Sequence, residues 1–297
     1  MADYAVGVVG HRALVDGATS VVVLSPHLDD AVFAVGAFIA SEAAVGIPVV
    51  VETVFTGNAP AAPTARHHRA FSDYSVRRAE DDSALRILGA SSRRLGFRER
   101  LFRPPPLRTP LHIFRTPPTP EDVESIEVAI HETLSDPGVA VLAPLGIGNH
   151  IDHVAVAVAA LRCAVGGGRI LFYEDFNALS ERWRRRHPIA RTAPFRWRDA
   201  PGWASPVTGL GMEAMSFVSA GPASTDYLGR AVLDEFEWVP CAVPAAGHEQ
   251  VKIDAIAQYH SQTGILGGER QLSAMIRRSL TRRGGEVVWR LNRRTPL

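Results

Sequence analysis

The chain has 297 residues, 46% of them hydrophobic, with a formal net charge of +1 and two cysteines. That is enough apolar material for a full core, and the balanced charge excludes a global field that would draw nucleic acid or a membrane surface. No run approaches the ~18 apolar residues of a membrane span, and Cys163 and Cys241 stand too far apart, outside any C-x-x-C pattern, for a disulfide scaffold or a thiolate metal site. The start, Met1 to Gly10, carries Asp3 and has neither a basic opening nor a long apolar stretch, so the expectation is a soluble cytoplasmic protein without a secretory signal. Nearly all basic residues are arginine, Lys252 being the sole lysine.

After an N-terminal arm over residues 1 to 18, the β-branched run to Ser25 predicts a strand over about 20 to 25. It breaks at Pro26-His27-Leu28-Asp29-Asp30 and resumes as an Ala/Val-rich helix from Asp30 to about Val45, stopped by Gly46 and Pro48. One Asp at a helix start is explained by capping and the helix dipole; a second Asp with a histidine three residues earlier is not. Ile47 to Phe55 reads as another strand, and such uninterrupted apolar runs fit a parallel sheet covered on both faces. His67-His68 follow in a polar loop, where an exposed pair needs no metal to explain it. A helix is predicted over Val76 to Leu88, closing on Gly89, and a strand over Arg93 to Phe97.

Residues 103 to 120 hold seven prolines and exclude an interior helix or strand, leaving either an ordered excursion beside a site or a disordered surface loop. A helix over about Glu121 to Leu134 and a strand over Val139 to Ala143 lead to the second informative turn, Pro144-Leu145-Gly146-Ile147-Gly148-Asn149-His150-Ile151-Asp152-His153, and a helix over Val154 to Ala164. Two strand ends of one parallel sheet can face one crevice, and ligands bind beyond the carboxyl ends of such strands. There His27, Asp30 and His153 would offer two imidazole nitrogens and one carboxylate oxygen, three ligands with an open fourth position, as in a catalytic zinc site.

Beyond Arg169 to Tyr173, another strand, the pattern loosens. The run Arg182, Arg184, Arg185, Arg186 reads as a solvated helix face, with a phosphate-bearing substrate as the alternative, and Trp183, Trp197 and Trp203 as packing or sugar-stacking groups. Helices over Val251 to Tyr259 and Glu269 to Arg282 and a strand over Val287 to Leu291 complete the chain. The expectation is one domain: a Rossmann-like α/β core over about 19 to 175, its mostly parallel sheet covered by helices on both faces, and a smaller C-terminal substrate-shaping lobe from about 176 to 297.

The turns His27-Leu28-Asp29-Asp30 and His150-Ile151-Asp152-His153 resemble the signature of the PIG-L, or LmbE-like, family of zinc-dependent N-deacetylases. Arg78, Glu80, Leu88-Gly89, Tyr173-Glu174-Asp175, Lys252, Ile256, Tyr259, Ser261 and Gln262 extend the resemblance. It implies one zinc, or another divalent ion, held by His27, Asp30 and His153, with Asp29 as general base, His150 stabilising the oxyanion, and removal of an N-acyl group, most often acetyl, from an amino sugar or glycoconjugate. It also brings Gln262 near the substrate, with Arg78 as a further substrate contact. Leu28 stands where many members have proline and Ala31 where many have glutamate.

The same roles follow from physics: with Asp30 as ligand, Asp29 can accept the proton of an attacking water, His150 as an imidazolium can balance the oxyanion, and Asp152 can hold that ring charged. Two other classes stay open. Two histidines and a carboxylate also make the facial triad of non-haem iron enzymes. A nucleotide-binding module is disfavoured because no glycine-rich phosphate motif follows a predicted strand. The partner expected is a small N-acylated molecule, with no nucleic acid and no membrane span; homo-oligomerisation is left open.

Overall fold

A computed structural model of the chain describes residues 7–58, 73–107, 109–192, 203–204, 206–218, 236–245, 247–264 and 266–294. His67, His68 and Trp197 lie outside them. In chain order the elements are β1 (Gly7–Val8), α1 (His11–Leu14), β2 (Ser20–Ser25), α2 (Asp30–Ala44), β3 (Val49–Phe55), α3 (Tyr74–Leu88), β4 (Ser91–Phe97), α4 (Pro120–Leu134), β5 (Val139–Pro144), α5 (Ile151–Val165) and β6 (Ile170–Tyr173). They continue as α6 (Glu181–Arg186), α7 (Pro206–Val218), β7 (Phe236–Val243), α8 (Glu249–Ile256), α9 (His260–Thr263), α10 (Glu269–Arg283) and β8 (Glu286–Arg293).

The eight strands form one sheet in the order β1-β7-β8-β6-β5-β2-β3-β4. Every pairing is parallel except the two made by β8, with β6 and with β7. The α/β class and the mostly parallel sheet agree with the sequence reading. Alternation along β2 shows why its run is apolar throughout. Val21 and Val23 pack with α2, α3, α8 and α10 on one face, Val22 and Leu24 with α4 and α5 on the other, and none of the four is more than 5% exposed.

The chain leaves β2 through α2 to β3 on one side and reaches β5 on the other side of β2. The crevice beyond the carboxyl ends of β2 and β5 is therefore the topological switch point. Pairing of Val21 with Ala140 and Val23 with Leu142 brings these strand ends level, so both turns open into that crevice.

β7 was not foreseen, because its Pro240 and mixed polarity hide a strand that runs beside β8. α8 ends at Ile256, short of the expected Tyr259. Where described, the proline-rich segment carries a 3₁₀ turn at Pro110–Phe114, and another, at Arg100–Phe102, directly precedes it.

Candidate metal centre

The turn after β2 is built by short-range bonds. The Ser25 hydroxyl donates to the His27 carbonyl at 2.6 Å and accepts the Ala31 N–H at 3.0 Å, so the chain reverses within a few residues and starts α2 at Asp30. Leu28 packs into a small cluster with Tyr74 and Phe102, while Asp29 lies within reach of the charges of Asp30 and His27. The turn after β5 needs a backbone that L side chains rarely adopt: Gly146, Gly148 and Asn149 have φ of 79°, 102° and 59°. A Cβ on Gly146 would also press on Val154 and Ala157 at 3.4 Å, where the turn lies close over α5.

His27, Asp30 and His153 come together. Asp30 Oδ2 lies 3.1 Å from His27 Nδ1 and 3.2 Å from His153 Nε2, and it accepts the His27 backbone N–H at 2.8 Å. Each imidazole has its other nitrogen on a second carboxylate: His27 Nε2 is 3.3 Å from Asp152 Oδ2, and His153 Nδ1 is 2.7 Å from Asp175 Oδ1. Protons on those outer nitrogens leave lone pairs on His27 Nδ1 and His153 Nε2, both facing Asp30 Oδ2. Two lone pairs and a carboxylate oxygen converging on one point call for a positive charge between them, whether from protons or from a cation.

Titration directions express the same imbalance. Burial favours neutral rings, yet Glu99, Asp152 and Asp30 raise His27 well above its usual value. Burial is likewise outweighed at His153, which Asp30 and Asp175 push up to about 9. Asp30, despite its own burial, is held well below the usual carboxylate range by His153 and His27. The donor set of two nitrogens and one oxygen fits a divalent ion of borderline softness such as zinc.

Asp29 occupies the cap position of α2 without using its carboxylate as a cap. Removal from water, followed by the charge of Asp30, raises it to about 7, while Arg77 opposes the rise.

His150 is the cap of α5: its Nδ1 accepts the Asp152 N–H at 3.3 Å, which leaves the ring proton on Nε2. Burial first, then the neighbouring His27 charge, lowers it to about 3, so here the ring is neutral rather than the imidazolium expected. The Asp152 carboxylate makes no described hydrogen bond to the His150 ring and acts on it by charge alone. Asp152 Oδ2 stands 4.0 Å from His150 Nδ1, and the carboxylate serves His27 and takes the Arg100 N–H at 3.2 Å instead. Residues two apart at a helix start point in different directions, so the Asp of the second turn reaches the His of the first. The three rings of His27, His150 and His153 still converge, with nitrogens within 4.8 Å of one another.

Arg78 and Gln262 are not drawn into this cluster by any described bond. Arg78 donates to the Thr56 carbonyl at 2.7 Å and to Asn58 Oδ1 at 2.8 Å, at the carboxyl end of β3. Gln262 is buried and donates to Ser261 Oγ at 3.1 Å, and Ser261 is bonded to Glu80 on α3. The arginine run is not a solvated face throughout. Arg184 is buried with Glu174 at 3.5 Å, Arg182 pairs with Glu213 at 3.5 Å, Arg185 with Glu181, and Arg186 donates to the Ser216 carbonyl at 2.8 Å.

Sequence reasoning gave no role to several neighbours. Asp175 braces both His153 and, by accepting its N–H at 2.9 Å, Ile147 in the second turn. Glu99 is held by Tyr74 and by Arg77 at 3.1 Å, close enough to His27 to act on its charge. Phe114 from the proline-rich segment meets the His150 ring edge-on at 5.5 Å and stacks on Trp183 at 6.5 Å. Only Asp175 carried a signal, its position after a strand end and its place in the Tyr173-Glu174-Asp175 run that extends the resemblance.

A protein of Streptomyces fradiae, 2'-N-acetylparomamine deacetylase, is 36% identical over 167 residues, which span 54% of this chain and 57% of that protein. The chain thus matches little more than half the length of this relative. The zinc-inhibited form of teicoplanin deacetylase superposes with a TM-score of 0.62 at 20% identity, over 94% of this chain and 100% of its own. The complex of a deacetylase with teicoplanin gives 0.60 at 22%, with the same coverage. At that identity the likeness is one of fold. The family described as PIG-L, GlcNAc-PI de-N-acetylase, matches residues 22–164, the segment that carries both strand-end turns.

Proposed function

We propose that this protein is a metal-dependent hydrolase that removes an N-acyl group, most simply acetyl, from an amino sugar or glycoconjugate. The observation that supports it most is the meeting of His27, Asp30 and His153 around one carboxylate oxygen at the switch point, with Asp29 alongside. The S. fradiae relative, named as a deacetylase of an N-acetylated amino sugar derivative, supports the substrate class.

His27 Nδ1, Asp30 and His153 Nε2 would hold the ion, with zinc as the reading the donor set favours. Such an ion supplies Lewis acidity for the amide carbonyl and lowers the pKa of a bound water from about 15.7 towards about 7. The chain's own groups do the rest. Asp29, whose ionised form Arg77 and any cation held beside it would favour against its burial, takes the proton that water loses on attack and passes it to the departing amine. His150, carrying its proton on Nε2, donates an N–H where negative charge develops on the carbonyl oxygen. Asp152 and Asp175 hold the two ligand rings in register, and Phe114 and Trp183 keep water from the His150 side. The joining of β7 and β8 to the one sheet supports reading the stretch from about 176 onward as one domain with the core, with its role to shape the substrate side.

The test is a panel of N-formyl, N-acetyl and longer N-acyl amino sugars, assayed for released amine with zinc-loaded protein and oxygen consumption followed in parallel. Amine release abolished by chelation and restored by a divalent ion is expected. Oxygen uptake without amine release, or no turnover of any amide, would overturn the reading.

A further inference from the structure

Helix α2 is broken. Val35 has φ −127° and ψ 29°, so Asp30–Ala34 and the rest of the helix run as two segments. A break strands the carbonyls that end the first segment and the N–H groups that begin the second, and both must find partners when buried.

They find them on two residues far along the chain. Glu286 at the start of β8 accepts the Ala37 N–H at 2.9 Å on Oε1 and the Phe38 N–H at 2.8 Å on Oε2, a carboxylate cap on the second segment. Lys252 on α8 donates from Nζ to the Ala34 carbonyl at 3.0 Å and to Glu286 Oε1 at 2.6 Å. Lys252 is 2% exposed and Glu286 4%. Gly36 makes room for them: a Cβ there would stand 3.1 Å from Lys252 Cγ. A buried ion pair is a poor device for stability alone, since apolar residues of like volume do as well, and its known use is to fix one geometry. Here the geometry fixed is the direction of the short segment that begins with Asp29 and Asp30.

We propose that Lys252 and Glu286 are positioning residues: by capping both sides of the Val35 break they aim the Asp29-Asp30 end of α2 at His153. The inference rests on the metal-centre reading above and adds that the sole lysine of the chain, in no described contact with the centre, governs its shape.

The experiment uses the full chain and cobalt(II) as probe, with cobalt affinity, the cobalt absorption spectrum, kcat and KM as readouts. Lys252→Met and Glu286→Gln are expected to weaken cobalt binding at least tenfold, shift the spectrum and lower kcat more than tenfold with KM within threefold. Gly36→Ala, which keeps both charges and only displaces the lysine stem, should move each readout the same way by a smaller factor, and serves if the charge variants do not fold. Ile130→Ala, a core truncation on α4, should lower the melting temperature while leaving cobalt affinity and spectrum as in the wild type. Wild-type cobalt binding, spectrum and kcat in folded Lys252→Met and in Gly36→Ala would overturn the positioning role. Wild-type protein that binds cobalt but releases no amine would sink the proposed activity while the cobalt readouts still decide this inference; wild-type protein that binds no cobalt would sink both.

Discussion

The turns after β2 and after β5 deliver the same residue types to one crevice but are held by different means. In the first, most of the bonds that shape the loop come from within it, Ser25 to His27 and Ala31, and His27 N–H to Asp30, with one from β3, where Phe55 N–H donates to the Pro26 carbonyl at 2.9 Å. In the second, the bracing comes from outside. Asp175 beyond β6 holds His153 and Ile147, and the Leu145 carbonyl accepts from His187 Nε2 at 2.9 Å. The two also brace each other, since Asp152 of the second serves His27 of the first. A motif compact in sequence can thus have its chemistry written locally and its geometry written elsewhere.

The sharpest way to break this comparison is to remove one ligand from each turn. Asp30→Ala and His153→Ala should both lose the bound divalent ion and all measurable amide hydrolysis, by metal analysis and released amine. Asp29→Asn should keep the ion and lose only rate, by about 10² to 10⁴, as general-base catalysis is worth that much. Equal metal loss in Asp29→Asn would mean that base and ligand are exchanged.

Next come the braces. Asp175→Asn and Asp152→Asn each leave a ligand ring with a weaker acceptor, and metal affinity should fall about 10- to 100-fold by competition with a chelator. Unchanged affinity in both would remove the outer carboxylates from the account.

The external bracing of the second turn has a pH signature. His187 is buried and neutral, its Nδ1 accepting the Ile189 and Ala190 N–H groups, and burial lowers it to about 4. Its folded value lies below the unfolded value of about 6.5, so the stability it contributes is present above pH ~6.5 and lost as pH falls towards 4. On the order of 3 kcal/mol should disappear across that window. Urea unfolding at pH 7 and pH 4 should show a smaller acid loss in His187→Leu than in the wild type; an equal loss would contradict the assignment. The smallest effect is expected at Arg185, half-exposed and paired with Glu181 on its own helix. Arg185→Ala should change stability by less than about 0.5 kcal/mol and leave kcat and KM untouched, whereas a large rise in KM would revive an anionic substrate group at that face.

What could be read in the sequence follows the same division. β2, α2, β5 and α5 were legible because apolar period, Gly stops and the two His/Asp turns are all short-range signals. Pairing across the sheet brings His27, Asp30 and His153 within bonding reach, as the spacing implied. The partner of Asp152 was not legible, because an outward direction at a helix start depends on which side chain takes the cap, and His150 takes it. Nor was the break at Val35, since neither Val35 nor Gly36 announces that Lys252 and Glu286 will cap it from more than 200 positions away. Phe114 reached the centre from a segment whose prolines excluded regular structure but could not say where the loop would pack.

The central claim is that one carboxylate and two imidazoles share one ion, and anomalous diffraction from a crystal grown with zinc or cobalt addresses it most directly. The account expects a single full-occupancy peak bonded at about 2.0 to 2.2 Å to Asp30 Oδ2, His27 Nδ1 and His153 Nε2, with Asp29 beside it and unbonded. A peak held by His27, His150 and His153 with Asp30 turned away, or no ordered ion at stoichiometric loading, would contradict it.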